Sequence, residues 1–345
     1  MEAEKTERVL SCIQPTGELH IGNYFGAVKN WVELQDRYEC FYGVVDLHAM
    51  TMPYNVGELK DNTLQMAIDL LACGIDPEKS ILFIQSLVPQ HTELAWIFNC
   101  ITAYGELARM TQFKDKSLQI EAGKKSVKGN CVSAGLFTYP VLQAADILIY
   151  RAKYVPVGRD QEQHLELSRA IAERFNRQFG EYFVPPQPLF TEIPKLMSIF
   201  DPTKKMSKSL GAKHYIGLFE GIDSISKKLR AAPTDTGETW TEGIMSPGVE
   251  NLFNLLKAAT ADSTIYTALL KDYNSGSLKY SRLKDATTDA LAALTARFIS
   301  RRNDLLKDKQ GLEKQLQLMS AKAREAAGKT LYYVRELVGL PQIHS

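Results

Sequence analysis

Apolar and polar positions follow two alternating periods through the first two hundred residues. Runs rich in β-branched and aromatic side chains at residues 9–13, 40–45, 80–85 and 154–157 predict four strands. Between the second and third runs, Leu64, Ala67, Ile68 and Leu71 recur at i, i+3, i+4 and i+7, and Gly74 follows as a stop, which predicts a helix. Strands alternating with helices favour a doubly wound parallel sheet with helices on both faces. Such sheets bind ligands beyond the carboxyl ends of their strands, so the segments after Ile13, Val45 and Val157 are the places for chemistry.

The last third changes period. Leu305, Leu312, Leu316, Met319, Ala323 and Ala326 fall at spacings of 7, 4, 3, 4 and 3, which predicts one long amphipathic helix and a smaller all-α region after the sheet. From residue 295 to 336 ten Lys and Arg face five Asp and Glu, a surplus of +5. The chain as a whole is close to neutral, with 41 basic and 40 acidic residues, so the neutral total hides a basic end. By charge alone that end is as well a solvated helical face as a nucleic-acid contact. With 45% apolar and 23% charged residues the composition excludes disordered, collagen-like and membrane classes. No apolar run reaches the roughly 18 residues that a membrane span needs, and the acidic N-terminus resembles neither a signal nor a transit peptide. Cys12, Cys40, Cys73, Cys100 and Cys131 stand at least 27 residues apart, without a C-x-x-C pair. That pattern reads as reduced, mostly buried thiols of a cytoplasmic protein, with no structural metal site. Residues 117–130, polar and carrying Gly123, Gly129, Lys124, Lys125 and Lys128, with Lys116 at their edge, read as a mobile surface loop.

Two segments carry candidate chemistry. After the first strand comes Gln14-Pro15-Thr16-Gly17-Glu18-Leu19-His20-Ile21-Gly22-Asn23, leading into a helix with Phe25, Val28 and Val32 in register. A strand, a Pro/Gly turn and a helix start make an anion site, where His20 and Asn23 donate hydrogen bonds and Gly22 admits a ring or ribose; an ordinary capped turn is the plainer alternative. The second segment is Asp201-Pro202-Thr203-Lys204-Lys205-Met206-Ser207-Lys208-Ser209-Leu210-Gly211. Flexible ammonium groups beside hydroxyls suit a triphosphate whose leaving pyrophosphate gains charge, and a solvated charged loop is the alternative.

Together the two segments match the signature pair of class I aminoacyl-tRNA synthetases, the first as H-I-G-N rather than H-I-G-H. Four further stretches (residues 45–49, 105–114, 139–148 and 155–164) resemble the bacterial or organellar tryptophanyl-tRNA synthetase family in detail, and the resemblance runs from about Leu10 to the C-terminus. It implies a Rossmann-like catalytic domain over residues 1–195, a Lys-Met-Ser-Lys-Ser loop over 196–214, and a helical tRNA- and anticodon-binding domain over 215–345 whose last helices are free to pack back on the first. ATP contacts are implied for Gln14, Pro15, Thr16, His20, Gly22, Asn23, Lys116, Gly158, Arg159, Asp160, Gln161, Leu196, Lys205, Met206, Ser207, Lys208 and Ser209. Among them Lys205, Lys208, His20 and Ser209 are the implied catalytic groups. For tryptophan the resemblance implies Asp146 receiving the indole N–H, Tyr139 and Gln161 near the α-amino group, and His48, Gln143, Val155 and Val157 lining the pocket. Without the family match, Asp146 reads equally as a satisfied helix carboxylate.

The implied reaction has two steps. The tryptophan carboxylate attacks the α-phosphorus of ATP, with Mg2+ held mainly by the phosphates and no protein metal site, and a tRNA(Trp) ribose hydroxyl then takes the acyl group. A homodimer and no membrane partner are implied. Three departures stand out: Gln143 where many bacterial relatives carry Met, which makes the pocket wall more polar; Arg159 where an acidic residue or Lys is common; and a longer, more basic stretch between Lys116 and Ser133. The tyrosyl enzyme is the nearest alternative, sharing both signatures and a Leu-Gln-x-x-Asp segment. A small-molecule adenylyltransferase and a non-catalytic tRNA-binding relative are more distant ones.

Overall fold

The computed structural model describes residues 7–121, 132–158, 162–190, 196–234, 245–260 and 262–342. Five parallel strands form one sheet: β1 (Arg8–Ile13), β2 (Glu39–Val44), β3 (Ser80–Ile84), β4 (Tyr154–Pro156) and β5 (Gln187–Leu189), in the order β3-β2-β1-β4-β5. Four strands lie where the pattern predicts them. The fifth was not predicted, because three residues containing a proline give no periodic signal and survive only at a sheet edge. The order places β1 beside both β2 and β4, so the chain reverses its direction of travel across the sheet between β1 and β4. Register explains one glycine: Gly43 pairs with Cys12 on one side and Phe83 on the other, and a Cβ there would lie 2.8 Å from the Cys12 Sγ and 2.7 Å from the Phe83 ring.

The chain divides into two compact units: Met1–Gly17, Trp31–Thr191 and Asp308–Ser345 in the first, Glu18–Asn30 and Glu192–Lys307 in the second. In the first unit the helix Val56–Cys73, capped by Asn55 and stopped by Gly74 at φ 114°, packs on β2 and β3. Helices Gln90–Asn99, Ala134–Ile149 and Glu162–Phe179 pack in sequence on one another. The C-terminal helix Lys309–Leu337 lies along β3, where the Ser320 hydroxyl accepts the Ile84 N–H at 3.2 Å and covers the sheet's edge. Ala323, Ala327, Leu331 and Val334 of that helix join the core formed by Leu10, Phe41 and Phe83. Burying this apolar stripe is what assigns the end of the chain to the sheet.

In the second unit, helices Ile222–Arg230 and Pro247–Ala259 pack on the long helix Tyr280–Leu305, and Ser263–Asn274 packs on Pro247–Ala259. The single amphipathic helix expected across residue 305 is two helices, separated by a tighter turn at Leu306–Asp308 with Asp308 capping the second through the Gly311 N–H at 2.9 Å. An apolar spacing of seven bridges such a break unchanged, so periodicity could not reveal it. The helix after His20 is also irregular, running Ile21–Asn23, a π turn Tyr24–Val28, then Lys29–Leu34. The wider turn shifts the buried face, so Trp31 is buried where Val32 was expected. Residues 117–121, expected in a loop, continue the helix Thr111–Glu121; residues 122–131 lie outside the described residues. Of the cysteines among the described residues, Cys40 and Cys73 are buried, Cys12 is partly so and Cys100 is exposed.

Candidate active site

The reversal between β1 and β4 opens a cavity of about 240 Å3 in the first unit, where doubly wound sheets bind their ligands. It is lined by Leu10, Ser11, Cys12 and Gln14 of β1 and its exit, by Val155, Pro156 and Val157 of β4, and by Val45, His48, Gln112, Tyr139, Gln143, Asp146 and Ile147. Six expected tryptophan-site residues thus converge there: Asp146, Tyr139, His48, Gln143, Val155 and Val157. Gln161, like Arg159 and Asp160, lies outside the described residues. Gly158 follows β4, and Lys116 lies on the helix Thr111–Glu121.

Asp146 is the centre of this cavity. It projects from Ala134–Ile149 and is 2% exposed. Its Oδ2 lies 2.7 Å from His48 Nε2, while Oδ1 lies 2.6 Å from His91 Nδ1 and accepts the Gln85 amide at 2.8 Å. Burial acts to raise its pKa, but His48 and His91 outweigh it and hold the carboxyl at about 2. At neutral pH it is a buried anion. Tyr139 bonds Gln112 and His164 through its hydroxyl, each at 3.2 Å, and burial pushes its pKa to about 12. It therefore stays a neutral phenol. Burial, together with the Asp146 charge, also pushes the Cys12 thiol up.

The second group of candidates belongs to the other unit. His20 is 7% exposed, and its strand-like position is fixed by backbone bonds from Ile21 N–H to Ile216 at 3.0 Å and from Leu218 N–H to Leu19 at 2.8 Å. Its own N–H donates to the Asn23 side-chain oxygen at 3.1 Å, leaving the Asn23 NH2 as the donor. The Nδ1 of His20 is buried without a hydrogen-bond partner. Burial first, then Lys208 and Lys205, lower its pKa to about 4, so the ring is neutral at pH 7. Gly22 makes room for this ring, since a Cβ would approach it to 2.9 Å.

The Lys-Met-Ser-Lys-Ser loop is anchored from below. Asn251 of Pro247–Ala259 accepts the Met197 N–H at 2.9 Å and donates to the Met197 and Ser198 carbonyls at 3.1 and 3.3 Å. Ser198 bonds His214 at 2.8 Å, and Met197 bridges to Lys205. Leu196 and Met206 are buried, Lys205 and Ser209 are exposed, and the Ser207 and Ser209 hydroxyls lie 2.8 Å apart. Lys208 rests its ammonium on the Glu18 carbonyl at 2.8 Å, two residues from His20. Both signatures thus meet within one unit, while Gln14, Pro15 and Thr16 stay with the other. Sequence reasoning missed Gln85, His91, Tyr150, His164 and Asn251. For His91 a signal existed, since Leu94, Ala95 and Phe98 continue its face of the helix in register.

The family model for class I tRNA synthetases (W and Y) matches residues 2–296. Tryptophan–tRNA ligase 2 of Streptomyces avermitilis is 44% identical over 99% of this chain and 100% of its own length, and the tryptophan–tRNA ligase of Clostridium tetani is 45% identical over 98% and 97%. A crystal structure of tryptophanyl-tRNA synthetase from Campylobacter jejuni, complexed with ADP and tryptophan, superposes with a TM-score of 0.81 at 35% identity, covering 96% of this chain and 100% of that one. The chain belongs to the class I aminoacyl-tRNA synthetases, in the tryptophan–tRNA ligase branch of bacterial type.

Proposed function

We propose that this chain activates L-tryptophan with ATP at the β1/β4 cavity and passes it to tRNA(Trp). The observation that carries the choice of amino acid is the buried Asp146 anion, three of whose acceptor positions are filled by the protein. A ligand N–H completes the set, and a ring without one leaves a buried lone pair unmet. In the first step a carboxylate oxygen of tryptophan attacks the α-phosphorus as the bond to pyrophosphate breaks. Lys205 and Lys208 offset the charge gathering on pyrophosphate, with Ser209 and the neutral His20 donating to the phosphates. Lys208 must leave the Glu18 carbonyl to do so. Gln14, Pro15, Thr16, Gly22, Asn23, Gly158, Arg159, Asp160, Leu196, Met206 and Ser207 are assigned to the nucleotide, Lys116 to its phosphates, and Tyr139 and Gln161 to the α-amino group. In the second step the terminal ribose hydroxyl of tRNA attacks the acyl carbon and AMP leaves. Positioning and electrostatics suffice; no covalent enzyme intermediate is needed.

Among the described residues no group of three or more His, Cys, Asp or Glu side chains is arranged to hold a metal ion. The amide and ammonium groups around His20 do not ligate metals, so Mg2+ is assigned to the ATP phosphates and no step is routed through it. A homodimer is supported by two large exposed side chains on neighbouring helices of the first unit, Trp96 at 71% and Tyr104 at 76%, which a second copy would cover. The cytoplasmic location rests on the reading of the cysteines as reduced thiols. Amino-acid-dependent exchange of pyrophosphate into ATP tests the reading. Tryptophan should support exchange and tyrosine should not; exchange driven by tyrosine would move the chain to the tyrosyl branch.

A further inference from the structure

A carboxylate offers about four lone-pair positions. On Asp146, Gln85 and His91 occupy Oδ1 and His48 occupies one position on Oδ2. We infer that His91, held from behind by Tyr150, is a positioning residue that locks the Asp146 carboxylate so that a single acceptor position, on Oδ2, remains for the ring N–H of the amino acid. The inference rests on Asp146 being the indole acceptor, as proposed above, and extends that reading to residues that never reach the cavity.

His91 is fully buried on the first turn of Gln90–Asn99 and does not itself line the cavity, which it meets only through Asp146. A carboxylate only accepts, so Nδ1 of His91 carries the proton in the 2.6 Å contact with Oδ1. In the neutral ring Nε2 is then an acceptor, and it faces the Tyr150 hydroxyl at 2.8 Å. Tyr150 follows Asp146 by one helical turn. Its ring stacks on Phe41 at 4.4 Å, and His91 stacks on Phe83 at 5.5 Å. Neither partner can turn without breaking a packed ring pair. Two donors on Oδ1, fixed this firmly, stop the carboxylate from rotating and set the direction of the last lone pair on Oδ2.

The charge follows from the same contacts. The groups facing Asp146 are His48, Gln85, His91, the Cys12 thiol of β1 and the Tyr150 phenol of its own helix. Burial pushes the thiol and the phenol up, so both stay neutral. The two imidazoles and the amide alone offset the burial of the anion. Removing the His91 N–H leaves that burial less compensated and moves the carboxyl pKa up from about 2. A protonated Asp146 carries O–H where the ring N–H needs an acceptor.

Tryptophan and β-(3-benzothienyl)alanine, which carries sulfur in place of the N–H, report on that lone pair when compared in pyrophosphate exchange across about pH 5 to 8. The parent enzyme should prefer tryptophan by a ratio that is flat with pH. In His91→Leu the preference should fall roughly tenfold or more, further at the acid end, while kcat for the sulfur analogue changes little. His91→Gln, which keeps a donor toward Oδ1, should restore most of the preference, and Tyr150→Phe should fall between. A folded His91→Leu with the parent's ratio and a flat profile overturns the inference. If His91→Leu does not fold, Tyr150→Phe decides: a reduced, pH-dependent ratio supports the lock and the parent's ratio overturns it. A parent enzyme with no preference for tryptophan over the analogue would instead remove Asp146 as the indole acceptor, which separates failure of that reading from failure of the lock.

Discussion

The two groups of candidate residues, one in each unit, satisfy their polar groups in opposite ways. Around Asp146, in the sheet-bearing unit, a buried anion already holds three protein donors and its charge is fixed far from neutral pH. Around His20, in the helical unit, an imidazole nitrogen is buried without a partner, and Lys208 and the exposed Lys205 act on it from a loop whose base is pinned by Asn251. On the assignment proposed above, the amino-acid group is finished before its ligand arrives, whereas the phosphate group is left for the ligand to complete. Each state fits its task. Selection between amino acids needs an acceptor that cannot adapt to the wrong ring. Transition-state stabilisation needs groups that gain their full interaction only as charge moves onto pyrophosphate.

The strongest way to break the comparison is Asp146→Ala. Tryptophan activation should weaken by roughly 2 to 4 kcal/mol in kcat/KM, with phenylalanine far less affected because it offers no N–H. The structure adds a second expectation. His48, His91 and Gln85 all lose their acceptor, so thermal unfolding should also move down, as it does when one partner leaves a buried charged cluster. Equal losses for tryptophan and phenylalanine would reduce Asp146 to a structural carboxylate. Lys208→Ala comes next. The activation rate should drop by about two decades or more while tryptophan affinity, measured by equilibrium dialysis, stays nearly unchanged. Its bond to the Glu18 carbonyl is a charge-assisted contact in a partly exposed place, so the fold should tolerate the loss. Parallel losses of affinity and rate would contradict a role confined to the triphosphate.

A smaller effect sharpens the contrast through pH. The His20 pKa is about 4 against an ordinary 6.5. Below 6.5 the unfolded chain binds a proton that the folded chain refuses, so this residue contributes nothing above that value and lowers stability as pH falls from 6.5 toward 4. A ring-proton NMR titration should find His20 neutral at pH 6, and Lys208→Ala should raise its pKa only in part, because burial is the larger cause. A midpoint near 6.5 in the parent enzyme would mean that the ring is solvated and that its unpartnered nitrogen is not kept for a ligand.

What was legible in the sequence follows physical lines. Four strands announced themselves because a buried parallel strand is a dense apolar run, whereas β5, at the edge and only three residues long, had no such run to show. His20 and the lysine loop were legible because unusual residues sit close together in sequence. The residues that complete Asp146 were not, since Gln85 and His91 come from a different strand end and helix, and only the sheet order brings them within 3 Å of the carboxylate. The break at Leu306–Asp308 was hidden because an apolar period reports which face is buried and not whether the backbone between two turns is continuous.

That break bears on the basic end of the chain, where the smallest effect is expected. Read as one helix from 297 to 329, the end presents a continuous basic face for the tRNA. In the structure its basic residues are shared between the two units, and one of the obvious candidates is already occupied: Arg302 pairs with Glu18 at 3.1 Å and lies over the Phe219 ring at 4.3 Å. Lys307 pairs with Asp304 at 2.7 Å, but both are exposed, and such a pair yields readily to a phosphate. Arg301 is exposed on the last turns of Tyr280–Leu305. If this region meets the tRNA backbone, the double substitution Arg301→Gln with Lys307→Gln should weaken tRNA binding and flatten its salt dependence by up to about two counterions' worth of slope, measured by filter binding at several salt concentrations. Arg302→Gln should add little to that slope and should instead lower thermal stability, because its guanidinium serves Glu18 and Phe219. Tryptophan activation without tRNA should survive the double substitution, since neither side chain belongs to the cavity at β1 and β4. An unchanged affinity and slope would make this end a solvated face, and a slope that falls only with Arg302→Gln would show that its ion pair opens when the tRNA docks.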